Sequence, residues 1–242
     1  MLTAGRVQVL TLLAAWAAWE GLARSGWLYS GVVPSSLLVL RALASQLASG
    51  EFYRHLAVTL GEVGVGFAVA SLAGVAVGLA LGARRVLGAV LDPYVQAIAT
   101  TPKIVFLPIA MLVFGVGPES KAALGALSGF FPVVISTEAG MRLMSPVHVR
   151  VGRSFNLSPR QMVTKIYLPS LVRPIVSGMR LGLGVTVIGV LLGEIKLSNT
   201  GLGFLAIEHY NHYRVPEMYA LLLVIFALAV AVNALMSRLA GD

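Results

Sequence analysis

The residues able to do chemistry in this chain are few and widely spaced. Of 242 residues, 57% are hydrophobic and 12% charged, so a charge inside an apolar run is the first place to look. Glu194 closes the run that opens near Val172, and Arg180 lies about four turns deeper in it. Lys103 sits between Pro102 and Pro108. A charge held within a bilayer is costly and marks a pathway, a gate or a buried pair. Each of the three also has a structural reading: Arg180 as a paired or snorkelling side chain, Glu194 as a satisfied helix-end carboxylate, and Lys103 as a group that reaches the headgroups instead of attracting an anion. Gly201-Leu202-Gly203 follows Ser198-Asn199-Thr200 and looks superficially like a phosphate cradle, but it lacks the Lys-Ser/Thr pair of a nucleotide loop. His209 and His212 stand three apart beside Glu208. Without a further ligand set, they read as ordinary loop residues and not as a metal site. There is no Ser/His/Asp set and no helical His-Glu-x-x-His, which argues against an intramembrane enzyme. The absence of cysteine removes disulfides, thiolate metal sites and thiol nucleophiles together.

These residues need elements to hold them, and the composition says which. A mean hydropathy of +0.87, with so few charges, describes an integral membrane protein. At about 20 apolar residues per helix, the length allows six spans, modest loops and no additional soluble domain. The first span is expected at Val7 to Leu22, read as a span and not as a signal peptide because no small-x-small cleavage site follows. Pro34 to Ser49 places Leu37, Leu40, Ala44 and Leu47 on one face of a short helix suited to the interface. Val63 to Gly82 is uncharged throughout and carries Gly74, Gly78 and Gly82 at the four-residue spacing that lets helix backbones approach closely. Asp92-Pro93 is expected to open a third span that runs to Phe114, interrupted at Pro102 and Pro108. Lys121 to Thr137, Val172 to Gly193 and Tyr219 to Ser237 complete six. Residues 1–55 would then hold the first span and the interfacial helix, and 56–242 a core of five spans with a loop at 145–169.

The formal charge of +8 records topology and lipid contact and not nucleic acid, since no basic block is interleaved with aromatics. With a cytoplasmic N-terminus, ten basic residues fall inside and six outside, and six of them cluster between 142 and 173. That places the segment Ser145 to Pro169 in the cytoplasm. It reads as helix, break, helix: Asn156 tolerates a left-handed backbone, Ser158-Pro159 is an N-cap with proline at the first helical position, and Leu168-Pro169 is expected to stop the second helix. A short basic element of this kind suits a groove on a partner, with Ile166 and Leu168 as its apolar contacts.

The spacing from Asn156 through nine residues to Ile166, then one residue, then Leu168-Pro169 resembles the second half of the EAA loop of ABC-importer permeases. The first half departs from that pattern, with Arg150-Val151-Gly152 at the Glu-Ala-Ala positions and Asn156 at the Gly. Val33-Pro34-Ser35, Ser49-Gly50-Glu51, Gly74 to Gly82, Thr101-Pro102-Lys103-Ile104, Pro108, Phe114-Gly115-Val116-Gly117, Phe131-Pro132, Gly193-Glu194 and Gly201-Leu202-Gly203 extend the resemblance over about residues 30 to 240. They narrow it to the nitrate/sulfonate/taurine/bicarbonate type. Glu62 stands where that type normally carries Arg.

The resemblance implies an all-α, type I importer permease in the cytoplasmic membrane of a prokaryote, carrying a small solute, most often an anion. It implies a second permease copy, two cytoplasmic ATPase subunits that hold the ATP and Mg, and a periplasmic or lipid-tethered binding protein. This chain itself would carry no cofactor and no catalytic residue. Arg150, Gly152, Asn156, Pro159, Ile166, Leu168 and Pro169 would couple to the ATPase, and Lys103, Glu194, Gly201 and Gly203 would line a path or gate. Two rival readings are an ion-coupled secondary transporter, expected to show inverted repeats, and a membrane scaffold, which would need neither buried charges nor proline-broken spans.

Overall fold

The computed structural model describes residues 4–27 and 31–240, including all their side chains except those of Ala4, Arg85 and residues 238–240. The expected inner basic residues Arg85 and Arg238 therefore have side chains outside the described set. Helices α1 (Ala4–Arg24), α2 (Ser36–Leu47) and α3 (Gly50–Ala83) come first, and α4 (Arg85–Thr100) follows. A 3-10 turn (Lys103–Phe106) leads into α5 (Leu107–Phe114) and then the long α6 (Pro118–Leu143). The loop contains α7 (Pro146–Ser154), α8 (Pro159–Met162), a π turn (Val163–Tyr167) and α9 (Leu168–Ser170). Helices α10 (Val172–Leu197), α11 (Leu202–Asn211) and α12 (Val215–Ala240) complete the chain. No strand occurs among the described residues.

Four helices, α3, α6, α10 and α12, are long and apolar enough to cross a membrane, and a fifth span results if α4 and α5 count as one. The six expected from composition thus exceed what length and apolarity support, because α1 does not reach that standard. α1 stands largely exposed. Its far end is tied down by Trp19, whose Nε1 donates to Pro34 O at 3.1 Å and whose ring meets Tyr219 edge-on. Glu20 caps α2 from outside, accepting from Ser36 N at 3.0 Å and Ser36 Oγ at 2.8 Å.

α6 is the central helix, packed most extensively on α3 and α10. The facing residues show that α3 runs parallel to α6, whereas α10 runs antiparallel to it. An added Cβ would lie 2.8 Å from Val133 Cβ at Gly74 and 2.6 Å from Thr137 Cβ at Gly78, and would strike Met141 at Gly82. On the other side, a Cβ at Gly182 would meet Gly129 O at 2.9 Å. These contacts bring helix axes together by dispersion between closely fitted surfaces, the main attraction left where the surroundings are as apolar as the core.

Several expected boundaries move. α3 begins at Gly50, directly after the interfacial segment expected to end at Ser49, and is 34 residues long. It therefore runs unbroken through residues 55 and 56, with its polar first turns projecting beyond the apolar stretch. Asp92 does not open a helix: α4 starts at Arg85, leaving the extended Arg84 as the only linker, and Pro93 lies inside it. Two turns into the helix, Pro93 leaves the carbonyl of Ala89 without its intrahelical donor, a local cost that the helix carries without ending. The Thr101-Pro102 break is sharper than a kink, turning the chain by 92°. Leu168-Pro169 does not stop the helical run, which passes through a π turn and continues to Ser170. A π turn before Pro169 gives room to the carbonyl that the ring would otherwise meet.

Candidate functional site

Two constellations stand at opposite ends of the bundle. At the end where α6 gives way to α10, the 145–170 loop is built from caps. Ser145 Oγ accepts from Val147 N at 3.3 Å to open α7, and Ser158 with Gln161 forms a reciprocal capping box that opens α8. Between them the chain reverses through Asn156, whose φ of +49° is left-handed. Leu157 N donates to Gly152 O at 3.1 Å and Asn156 N to Arg153 O at 2.9 Å, closing the α7 carbonyls in a Schellman-type turn.

The two helices are held face to face. Gly152 is buried, and a Cβ there would strike Met162 Sδ and lie 3.3 Å from Ile166 Cγ1. Ile166 and Leu168 are therefore only half exposed. Ile166 serves the inside of the loop, contrary to the expectation of an open apolar contact. The apolar side chain offered to solvent is Phe155, at 76% exposure on the apex of the turn, flanked by Val151 and Val147. Sequence reading missed it because a single aromatic beside a turn carries no periodic signal. Arg150 and Pro159 are exposed, as is Pro169.

At the other end, Glu194 is fully buried. Its Oε1 accepts from Thr59 Oγ1 at 2.7 Å, and its Oε2 from Gly203 N at 2.7 Å. Leu202 N donates to Thr59 Oγ1 at 2.8 Å, and Gly201 N to His55 Nδ1 at 3.0 Å. Gly201, at φ +102°, wraps so closely that a Cβ would overlap the Glu194 carboxylate. Gly201-Leu202-Gly203 is thus a backbone cradle around a carboxylate of the same chain, and α3 and α11 are pinned to α10 through it. Thr59 and His55 carry the cradle yet looked inert in sequence, since hydroxyl and imidazole groups near a helix start have no distinctive spacing.

Glu62, one turn along α3 from Thr59, is 3% exposed, and neither carboxyl oxygen has a hydrogen-bond partner. It faces Glu194 and Lys121. Lys121 donates to Val116 O and to Gly117 O, so its charge acts on both carboxylates through space and not in a direct ion pair. Where the resemblance puts an Arg on α3, the cation beside Glu194 here comes from α6.

Lys103 joins neither constellation. Its ammonium donates to Ile98 O at 2.8 Å, Ala99 O at 2.9 Å and Thr101 O at 2.7 Å, and lies 5.0 Å from the Phe131 ring centroid. It caps the broken end of α4, where the helix dipole favours a cation. Phe131 is ten residues along α6 from Lys121, about 15 Å at the α-helical rise, so Lys103 and Glu194 occupy different depths. Arg180 Nε donates to Asn233 Oδ1 at 2.6 Å and joins α10 to α12. The two histidines separate: His209 is buried against Gln46 Nε2 at 3.2 Å, and burial lowers its pKa below the ordinary histidine value, whereas His212 meets Glu208 O.

Residues 70–241 match the family described as binding-protein-dependent transport system inner membrane component. The protein described as an aliphatic sulfonates transport permease, SsuC, of Bacillus subtilis (strain 168) is 28% identical over 204 residues, which are 84% of this chain and 74% of that one. The taurine transport system permease protein TauC of Escherichia coli (strain K12) is 32% identical over 153 residues, 63% of this chain and 56% of that one. Among solved structures, a chain of the inward-facing MetNI methionine ABC transporter superposes with a TM-score of 0.65 at 18% identity, covering 85% of this chain and 95% of that one.

Proposed function

This chain belongs to the family of binding-protein-dependent transport inner membrane components, as a permease of an ABC importer, and from that premise we propose that it carries a small anion inward, driven by ATPases docked on its 145–170 loop. The single observation that carries the docking is the loop itself. It is a preformed, capped, basic element whose most exposed large apolar side chain, Phe155, stands at the apex of the turn. An exposed aromatic at the tip of a rigid element, with basic residues around it, fits an apolar socket with an acidic rim. Arg150, at the family's Glu position, supplies the rim contact.

In this reading two copies of the chain face each other across the path, and each loop takes one ATPase. A sulfonate, taurine, nitrate or bicarbonate is delivered by a separate binding protein. The names of the relatives support the anion class. The far end of α1 touches Pro34 and Tyr219, which supports placing its first residues on the loop side, in the cytoplasm. Closure of the ATPases moves α7 and α8 as one body because Gly152 locks them together, and α10 receives the motion through Leu171, which is buried where the loop ends.

The test is Phe155→Asp. The carboxylate would be desolvated in an apolar socket without a partner, so the ATPase should be lost on co-purification and ATP-dependent uptake in proteoliposomes abolished, with the permease itself normal by size exclusion. A well-folded Phe155→Asp chain that keeps its ATPase and its uptake refutes the docking assignment.

A further inference from the structure

Beside the loop lies a groove of about 1030 Å³, bordered on the loop side by Pro159 and Leu168 of the coupling element and reaching from there along α3. Its floor is one face of α3 from Ser71 to Ala83, with Arg84 just beyond the helix end, and its walls are Met179 of α10 together with Met162, Tyr167 and Leu168 of the loop. Thirteen residues of helix make it about 20 Å long, more than half of a hydrocarbon core of about 30 Å. Apart from Ser71 at the far end, the α3 lining is apolar, and at the loop end both Arg84 and Arg153 line the groove. Neither guanidinium has an acidic partner among the described residues. A second cavity, of about 930 Å³, shares Ala83, Arg153 and Tyr167 with the first, but its Arg142 is already paired with Asp92 at 3.4 Å and Glu138 at 2.6 Å. The apolar slot therefore ends on the loop side at Arg84 and Arg153.

We propose that this groove is a selective site for one anionic phospholipid of the leaflet next to the loop. An acyl chain lies along α3, and the phosphate is held by Arg84 and Arg153. Charge and depth choose the occupant. A soluble partner cannot follow the slot about 20 Å into hydrocarbon. A second copy of the chain meeting this face through a two-fold axis would bring four guanidinium groups without acidic partners, two from each chain, into one interface, which like charge opposes. An anionic lipid supplies both the chain and the charge, and basic pockets at membrane-helix ends hold such headgroups. Bound there, the lipid would brace the loop against α3. The assignment of the leaflet as cytoplasmic rests on the proposed function, but the site does not.

Native mass spectrometry of the full chain, delipidated in detergent with the subunits that co-purify, tests this by titration with phosphatidylglycerol or phosphatidylcholine. One phosphatidylglycerol per chain should be retained, with phosphatidylcholine bound about tenfold or more weakly. Arg84→Gln with Arg153→Gln should remove about that preference, and the double Lys variant should keep most of it. Ala76→Trp, which fills the slot and leaves both charges, should also expel the lipid. Equal retention of the two lipids refutes the site, as does phosphatidylglycerol retention unchanged in both the Gln pair and Ala76→Trp. Displacement of the lipid by glycerol phosphate alone would reduce it to a phosphate contact and overturn the acyl-chain assignment. A disulfide between copies through cysteines at Leu72 would give the groove to a second chain. ATPase content is read in the same spectra, so loss of docking and loss of lipid are seen separately.

Discussion

At the scale of single residues, the chain uses its few buried charges to join helices. Glu194 receives two donors in a site closed to solvent, and Gln cannot replace it without cost. Its amide turns one donor toward either Thr59 Oγ1–H or Gly203 N–H, and even if Thr59 Oγ1 accepts it beside Leu202 N, the Thr59 hydroxyl hydrogen loses its acceptor. Glu194→Gln should therefore destabilise the chain by about 1–3 kcal/mol, the cost of a mispaired buried donor. Thermal unfolding in detergent should show this, and an unchanged midpoint would mean that the cradle is not holding α11. Lys103→Met should leave three carbonyls of the α4 end without their cation. Increased proteolysis near Thr101 is the expected sign, with little change in the midpoint set by α3, α6 and α10. The identity of Glu194 as a special carboxylate was legible in the sequence, because charge in an apolar run is rare. Its partners were not: Thr59 and His55 lie more than a hundred residues away, and only chain folding brings them near.

At the scale of elements, the glycine row was the most readable feature. Four-residue spacing puts Gly74, Gly78 and Gly82 on one face whatever the partner, but the identity of that partner, Val133, Thr137 and Met141 of α6, depends on the packing of a parallel helix. Gly78→Leu would drive a branched side chain into Thr137, with Cβ alone at 2.6 Å. Overpacking of this kind costs about 1–3 kcal/mol or forces the helices apart, so poor yield or early unfolding is expected. A normal yield with an unchanged midpoint would show that the α3–α6 contact adapts. The loop shows the reverse balance. Its capping residues, Ser145, Ser158 and Pro159, were read from type alone, and so was the turn at Asn156. The direction in which Ile166 points was not, because the π turn at Val163–Tyr167 shifts the helical phase by one residue and no local pattern announces it. The same limit applies to α4: Asp92-Pro93 has the composition of a helix start, yet the helix begins at Arg85 and packs on α6, where Arg142 meets Asp92 at 3.4 Å.

At the scale of the molecule, α6 sits between α3 and α10 while α1 and the loop stand on the outside, so stability should be graded. Hydrogen exchange in detergent should leave α6 between Leu124 and Met141 slowest, with α1 and residues 145–170 fastest. Rapid exchange in α6 would contradict the central packing. Composition by itself determined that the protein lives in a membrane, since so few charges over this length leave no other way to hydrate the surface. Type and spacing determined the close-packing face on α3, the capped loop and the family resemblance. Tertiary structure alone decided where each helix begins and ends, which cation answers Glu194, which apolar residue the loop leaves exposed, and where an apolar slot meets Arg84 and Arg153. The division has one physical cause. Propensity, capping and helical phase act within a few residues and are written locally, whereas a pair such as Thr59 with Glu194, or Gly82 with Met141, is selected by the packing of distant helices that the whole chain must settle at once.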